Sequence, residues 1–259
     1  MNFLSDSTSE EILSLYLGVK APQNSQDPES TPMTFSSGSV PEAVDWRTQG
    51  AVTPIKNQKS CGGCYSFAVA AALETLNVLR GNPLTEFSMQ YLIDCSTTVG
   101  NNGCKGGYVD RAINYTRDNG IPLNAVYPFI NKQGNCTYSP SQSVFQPSGY
   151  TKVPKNKPDL LKNAVAQTAV VALIYASDPT FFQYSSGVIT ICEGTVNHAV
   201  TIVGYNATVP GEGDLPPYWI VKNSWGTSWG EQGYVKIAMG TQNNGTGLCG
   251  INQWAYTPY

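Results

Sequence analysis

The chain has 259 residues, enough to bury a sizeable core as one large domain or as two lobes of roughly 100 residues each. Its 41% hydrophobic and 11% aromatic content reads as globular, while 13% charged residues is about half the usual ~25% share. A net charge of −3 offers no basic surface for nucleic acid or an anionic membrane, and no apolar run is long enough for a membrane-spanning helix.

The start, MNFLSDSTSEE, lacks the basic and apolar regions of a signal peptide, so the chain reads as cytosolic or as beginning partway through a longer precursor. Ser7 and Glu10 are spaced as a capping box. Ile12, Leu13, Leu15 and Tyr16 follow at near-helical spacing, and Gly18 ends the predicted helix. Pro22 to Ser39 is rich in Pro, Ser, Thr and Gln, with Met33 and Phe35 as its only large apolar side chains, which predicts an extended linker or a removable piece.

From Val40 the composition is even. Cys64 to Arg80 (CYSFAVAAALETLNVLR) carries Val69, Ala72, Leu73, Leu76 and Leu79 on one stripe and stops at Gly81, Asn82 and Pro83, the strongest helical signal in the chain. Ser88 caps a second helix through Asp94, and a third runs from about Val109 to Asp118, ended by Asn119 and Gly120. A fourth starts at Pro158 (PDLLKNAVAQ). Four β-branched or aromatic runs surround the last third, at 169–175, 198–205, 218–223 and 233–239, and predict an antiparallel sheet curled towards a barrel. A helical lobe followed by a β lobe makes a cleft between them the expected place for a site.

Seven cysteines leave one thiol over after pairing, and His198 is the only imidazole. Cys64 opens the main helix, where unpaired backbone N–H groups and the dipole favour a thiolate, and a nearby protonated imidazole depresses a cysteine pKa further. His198 is the sole candidate partner, although a lone histidine is as readily a structural residue. Four glycosylation sequons, at Asn114, Asn135, Asn206 and Asn244, join the cysteines in pointing to a secreted or a lysosomal or vacuolar protein.

The surrounding blocks QKSCGGCYSF (58–67), VNHAV (196–200) and KNSWGTSWGEQGYVKI (222–237) resemble the papain family of cysteine proteases, in its cathepsin L-like branch. AVDWRTQGAVTPIKNQ (43–58), MQYLIDCS (89–96) and GCKGGY (103–108) extend the resemblance from about Val40 to Pro258. It implies an α+β, two-lobed fold with a helical lobe mainly at 49–151, an antiparallel barrel-like lobe mainly at 152–250, and the active-site cleft between them. It also implies a cysteine endopeptidase acting through a thioester acyl-enzyme. Cys64 is then the nucleophile, His198 the base and later the acid, and Asn223 the group that holds the imidazole. Gln58 and the Cys64 N–H would donate to the oxyanion. Trp225 would shield the Asn/His pair, and Gly106 and Gly107 would bind substrate backbone.

By the same resemblance Cys61 pairs with Cys104, Cys95 with Cys136, and Cys192 with Cys249, leaving Cys64 free. Residues 1–39 look like the end of an inhibitory propeptide that crosses the cleft in reverse, with residues 40–259 as the peptidase domain. Weak inhibition and acid trimming near Ser36 to Val40 are expected. Peptide and protein substrates, the chain's own propeptide and proteinaceous inhibitors are the implied partners of a monomer, with no metal or cofactor.

The chain departs from the family pattern at Gly63 and Tyr65, where Ser and Trp are common, and Tyr65 keeps an aromatic ring. Near the C-terminus, CGINQWAYTP places Trp254 at the floor of the pocket for the second substrate side chain before the scissile bond. Tyr108 and Val109 line that pocket and Asn197 stands beside it. A Trp floor implies a shallow pocket that favours Val, Ala or Pro over Leu or Phe. No adjacent histidine pair provides the dipeptidase loop of cathepsin B.

Three other readings remain open at this level. Cys61 and Cys64 form a C-x-x-C at a helix start, as in thiol–disulfide oxidoreductases. A catalytically inactive binding protein could keep the papain fold. A zinc site, with one histidine and no second C-x-x-C, is the poorest of the three.

Overall fold

The computed structural model describes residues 8, 10, 11, 16–21, 40–208 and 215–259. Helix α1, Cys64–Leu79, is buried on nearly all sides, from Cys64 to Asn77 except Ala71, which suits a sequence dominated by small and aliphatic residues. Leu79, the last member of the expected stripe, lies at the frayed end and is 41% exposed. Gly81 takes a left-handed φ of +84°, and the Asn77 side-chain amide donates to the Pro83 carbonyl at 2.8 Å, so the chain turns away there. Helix α2 is Met89–Cys95, its first turn capped by Ser88 Oγ, which accepts the Tyr91 N–H at 3.0 Å. Helices α3, Val109–Asn119, and α4, Pro158–Gln167, match the expected spans, and α5 is a single turn, Pro179–Phe182.

Eight strands form one sheet: β1 Ala43–Asp45, β2 Tyr150–Val153, β3 Val170–Ile174, β4 Val188–Ile189, β5 His198–Asn206, β6 Tyr218–Lys222, β7 Tyr234–Ala238 and β8 Ala255–Pro258. The order is β2-β8-β3-β5-β6-β7-β4, with β1 added to β5. The four runs read from sequence are β3, β5, β6 and β7. The expected antiparallel, barrel-like sheet is an open one, ending at β2 and β4, with β4 paired to β7 in parallel. The missed strands β1, β2, β4 and β8 have two to four residues, too short to show a period.

Strand β3 explains why its sequence is apolar without alternation. Val170, Ala172 and Ile174 belong to the core of the β lobe, while Val171 and Leu173 belong to the core around α1. Strand β5 divides in the same way, with Val200 and Ile202 in the first core and Ala199 in the second. Both strands therefore form the seam between lobes, and Thr201 Oγ1 donates across it to the Ala68 carbonyl of α1 at 3.1 Å.

The seam also encloses charge that has no sequence signature. Glu74 on α1 is 2% exposed and accepts hydrogen bonds from the Thr53 hydroxyl and, at 2.9 Å, from the Phe87 N–H. Lys222 at the end of β6 is 5% exposed and donates to the Thr53 carbonyl and hydroxyl at 2.8 and 2.9 Å. A cavity of about 20 Å³, room for one water, is lined by both. Burial pushes the Glu74 carboxyl up against the opposing pull of Lys222, and pushes the Lys222 ammonium down to about 8 against the pull of Glu74.

Truncating one partner strands the other. In a Cys64→Ser background, Lys222→Met is expected to destabilise by about 3–5 kcal/mol near neutrality, and a Glu74→Leu/Lys222→Met double variant by much less. The sign with pH follows from Glu74. Its folded pKa is raised, so its contribution is fully present below the unfolded carboxylate pKa and is lost as pH rises through the folded value. The Lys222→Met defect should thus grow from pH 4 to 7 in thermal melts; a defect independent of pH in that window would contradict it.

Candidate active site

Cys64 stands at the first position of α1 and is fully buried, the one free cysteine. His198 opens β5, opposite Ile174 of β3, and is also fully buried. Ala199, the residue after His198, lies in the same core as Cys64, and Thr201 of β5 bonds to Ala68 of α1, so the start of β5 abuts the start of α1. His198 Nε2 is 2.8 Å from Asn223 Oδ1, which also accepts the Ser224 N–H at 2.8 Å. His198 Nδ1 is buried and, among the described residues, has no hydrogen-bond partner. Asn223 therefore holds one ring nitrogen and leaves the other available. The Trp225 ring lies 5.0 Å from the imidazole and is fully buried, and Phe181 flanks both.

Gln58 is brought in by the backbone: its N–H donates to the Ser224 carbonyl at 2.8 Å, and its side-chain oxygen accepts the Ser224 hydroxyl at 2.6 Å. This fixes which end of the amide faces the cleft. The free end, Nε2, donates to the carbonyls of Cys61 at 2.9 Å and of Tyr16 at 2.8 Å. Ser224 was absent from the sequence reading; its only signal was its place beside Asn223.

Residues Tyr16–Ala21 occupy the cleft. Gly107 donates to the Gly18 carbonyl at 2.9 Å, Lys20 donates to the Gly107 carbonyl at 3.0 Å, and Val19 donates to the Asn197 carbonyl at 3.3 Å. Val19 and Gly107 pair in parallel. Tyr16 packs edge-on to Trp225 at 6.0 Å, and the Lys20 ammonium lies 5.8 Å from the Tyr108 ring. Val19 is 8% exposed and shares an apolar cluster with Val109, Val196, Ala199 and Trp254. Trp254 is itself 9% exposed. The Asn197 side chain accepts the Ala176 N–H and donates to Ser177 Oγ, both at 2.9 Å.

Two glycine positions here are dictated by space. A Cβ on Gly18 would overlap the Gly62 carbonyl oxygen, and one on Gly106, whose φ is +101°, would overlap the Gly18 carbonyl. The sequence predicts Gly18 as a helix stop; its close fit against Gly62 and Gly106 is the stronger reason for it. Thr8 and Glu11 form a capping box: Glu11 Oε2 accepts the Thr8 N–H at 2.8 Å while the Glu11 N–H donates to Thr8 Oγ1 at 3.2 Å, and Ser7, the expected partner of Glu10, lies outside the described residues. Ser7, Ile12, Leu13, Leu15 and the linker 22–39 lie outside the described residues.

Occlusion sets the protonation of the pair. Burial pushes the Cys64 thiol up, opposed by the N–H groups of Ala199, Gly18, Tyr65 and Val19. Burial pushes His198 down to about 4, opposed by Asn223. Both groups are neutral in this state.

The three disulfides are Cys61–Cys104, Cys95–Cys136 and Cys192–Cys249. The first closes a separation of 43 residues, worth about 4 kcal/mol in the chain-entropy account, and ties the Gln58–Cys64 loop to Gly106 and Gly107. It also removes the C-x-x-C redox reading, since Cys61 is bonded to Cys104 and Cys64 is free. Among the described residues, no three His, Cys, Asp or Glu side chains come together as a metal site.

A buried thiol at a helix start, an imidazole held by an amide, and a cleft plugged by the chain's own N-terminal segment define a thiol hydrolase in a latent form. The chain belongs to the papain family of cysteine proteases, whose description, Papain family cysteine protease, matches residues 40–259. It is 40% identical to cathepsin S of Mus musculus over all of its own length and 75% of that protein's. It is 37% identical to fruit bromelain of Ananas comosus, over 97% of this chain and 70% of the other. Among solved structures, the proform of Amb a 11, a ragweed pollen cysteine protease, superposes with a TM-score of 0.86 at 35% identity, covering 100% of this chain and 80% of that one. Procathepsin L 3 of Tenebrio molitor gives 0.85 at 38% identity, covering 100% and 81%. The protein is a cysteine endopeptidase made as a zymogen.

Gly18 supplies a direct check on the plug. Gly18→Ala should lift the segment from Gly62 and raise the alkylation rate of Cys64 in the intact chain by about tenfold or more. Once the segment is removed, wild type and variant should react equally. An unchanged rate in the intact variant would show that close contact at Gly18 does not seal the cleft.

Proposed function

We propose that Cys64 attacks the scissile carbonyl, with His198 accepting its proton and later delivering it to the leaving amine. The observation that carries this is the held imidazole: Nε2 is 2.8 Å from Asn223 Oδ1, and Nδ1 is left without a partner. Release of the segment readmits water, relieves the desolvation that keeps both groups neutral, and lets the thiolate–imidazolium pair form at the helix N-terminus. Attack then gives a tetrahedral oxyanion, stabilised by Gln58 Nε2 and the Cys64 N–H. The contact of Gln58 with the Tyr16 carbonyl supports this, because that oxygen sits where a substrate oxyanion would accept the same donor. Collapse expels the amine, protonated by imidazolium, and leaves a thioester that water cleaves. Trp225 keeps water from the His198–Asn223 bond.

Residues 1–39 act as the truncated propeptide and 40–259 as the peptidase. The parallel pairing of Val19 with Gly107 supports a reversed path, since a substrate running the other way would pair antiparallel with the same N–H and carbonyl. Acid incubation trims the chain near Ser36 to Val40. Tyr108, Val109, Asn197 and Trp254 form the pocket for the second substrate side chain, and a buried indole at its floor makes it shallow and favours small branched side chains there.

The protein acts in an oxidising compartment, secreted or lysosomal/vacuolar, as a monomer that its propeptide and proteinaceous inhibitors can block. Three disulfides support this, and no helix among the described residues is long and apolar enough to cross a membrane. Asn135 and Asn244 are exposed and suit a glycan. Asn206 is half-buried at the end of β5, and Asn114 lies mid-helix with its Oδ1 buried.

An epoxide-type inhibitor, as in the bromelain complex with E64, should label trimmed protein at one site and fail on Cys64→Ala. Gln58→Ala should lower kcat by about 10²–10³ with little change in KM. A near-normal kcat would remove Gln58 from the oxyanion site. Peptide libraries should favour Val at the second position over Phe; a profile led by Phe would reject the shallow pocket.

A further inference from the structure

Two ammonium groups converge on one indole. Lys155 Nζ lies 3.3 Å and Lys152 Nζ 4.5 Å from the centroid of the Trp254 ring. Lys152 sits on β2, Lys155 in the loop between β2 and α4, and Trp254 just before β8, the partner strand of β2. Like charges brought together repel, and Lys155 is pushed below its ordinary pKa, first by desolvation and then by Lys152. Among the described residues neither lysine forms an ion pair that would offset this. What remains to hold them is the negative face of the indole, an attraction worth about 0.5–1 kcal/mol at an exposed site and more where desolvated.

The consequence falls on the ring. The backbone of Trp254 is already tied to the seam, its carbonyl accepting the Leu173 N–H at 2.9 Å. Only the side-chain torsions stay free, and two cations on the ring restrict them. The ring belongs to the core of the helical lobe, which also contains Val109 and, from the covering segment, Val19.

We propose that Lys152 and Lys155 are positioning residues for specificity: they clamp the Trp254 indole and so set the depth of the pocket that takes the second substrate side chain. This rests on the reading of Trp254 as that pocket's floor. Neither lysine touches substrate. Loss of the clamp lets the indole swing, deepening the pocket, so larger side chains gain while the chemical step is untouched.

The test uses trimmed enzyme, counted by titration with an epoxide inhibitor, and peptides differing only in Val, Leu or Phe at the second position. Lys152→Gln/Lys155→Gln should reduce the Val-over-Leu ratio of kcat/KM by about fivefold through KM, with kcat on the Val peptide unchanged, and Lys→Arg at both positions should restore the ratio. Trp254→Ala should abolish the Val preference, and the lysine changes should add nothing in that background. If Trp254→Ala alters the profile and the lysine variants do not, the clamp is overturned while the pocket stands. If Trp254→Ala leaves the profile intact, the pocket reading fails and takes the clamp with it. A lysine effect that persists without Trp254 also overturns the clamp. Should the double variant melt far below wild type, Lys155→Gln alone, at an exposed position, gives the same comparison.

Discussion

The site depends on the contact between the start of α1 and the start of β5. Each element alone is ordinary: a small-residue helix opening on Cys64, and a nine-residue buried strand opening on His198. They meet because β3 and β5 present apolar side chains to both cores, so the sheet cannot bury itself without burying α1. The Thr201 hydroxyl bonded to the Ala68 carbonyl of α1 is the local result. Gln58, Ser224 and Asn223 then close the arrangement by hydrogen bonds, with Ser224 linked to both amides.

The segment that fills the cleft uses mainly backbone groups. Four of its contacts are main-chain or main-chain-to-amide hydrogen bonds, at Tyr16, Gly18, Val19 and Lys20, and a glycine permits the closest approach. Such contacts recognise direction and proximity more than side-chain identity.

Helices and the thiol–imidazole pair were legible because each has a local signal, whether period, cap or parity. Cys64 was left over by counting, but the partners of the other six came only through family likeness, since the chain itself allows many pairings. Glu74 and Lys222 were not legible. Glu74 reads as a surface residue of a long helix and Lys222 as the polar end of a strand, and only the packing of α1 against β6 and the Thr53 loop buries both. Strands β1, β2 and β8 were missed for want of length, and the parallel β4/β7 pair because no period predicts it. The close fit of Gly18 against Gly62 and Gly106 was hidden by a simpler explanation, that glycine ends helices.

Desolvation acts twice at the seam, with different consequences. Beneath the site it penalises Glu74 and Lys222, which are enclosed by α1, β6 and the Thr53 loop and stay enclosed whether or not the cleft is filled. At the site it raises the thiol and lowers the imidazole, and here part of the enclosure is the removable segment. Departure of Tyr16–Ala21 changes the medium around Cys64 and His198, while Asn223, Ser224 and Gln58 already hold one another by bonds independent of the segment. Under the proposed function, activation is a change of solvent access over a site whose hydrogen bonds are already made.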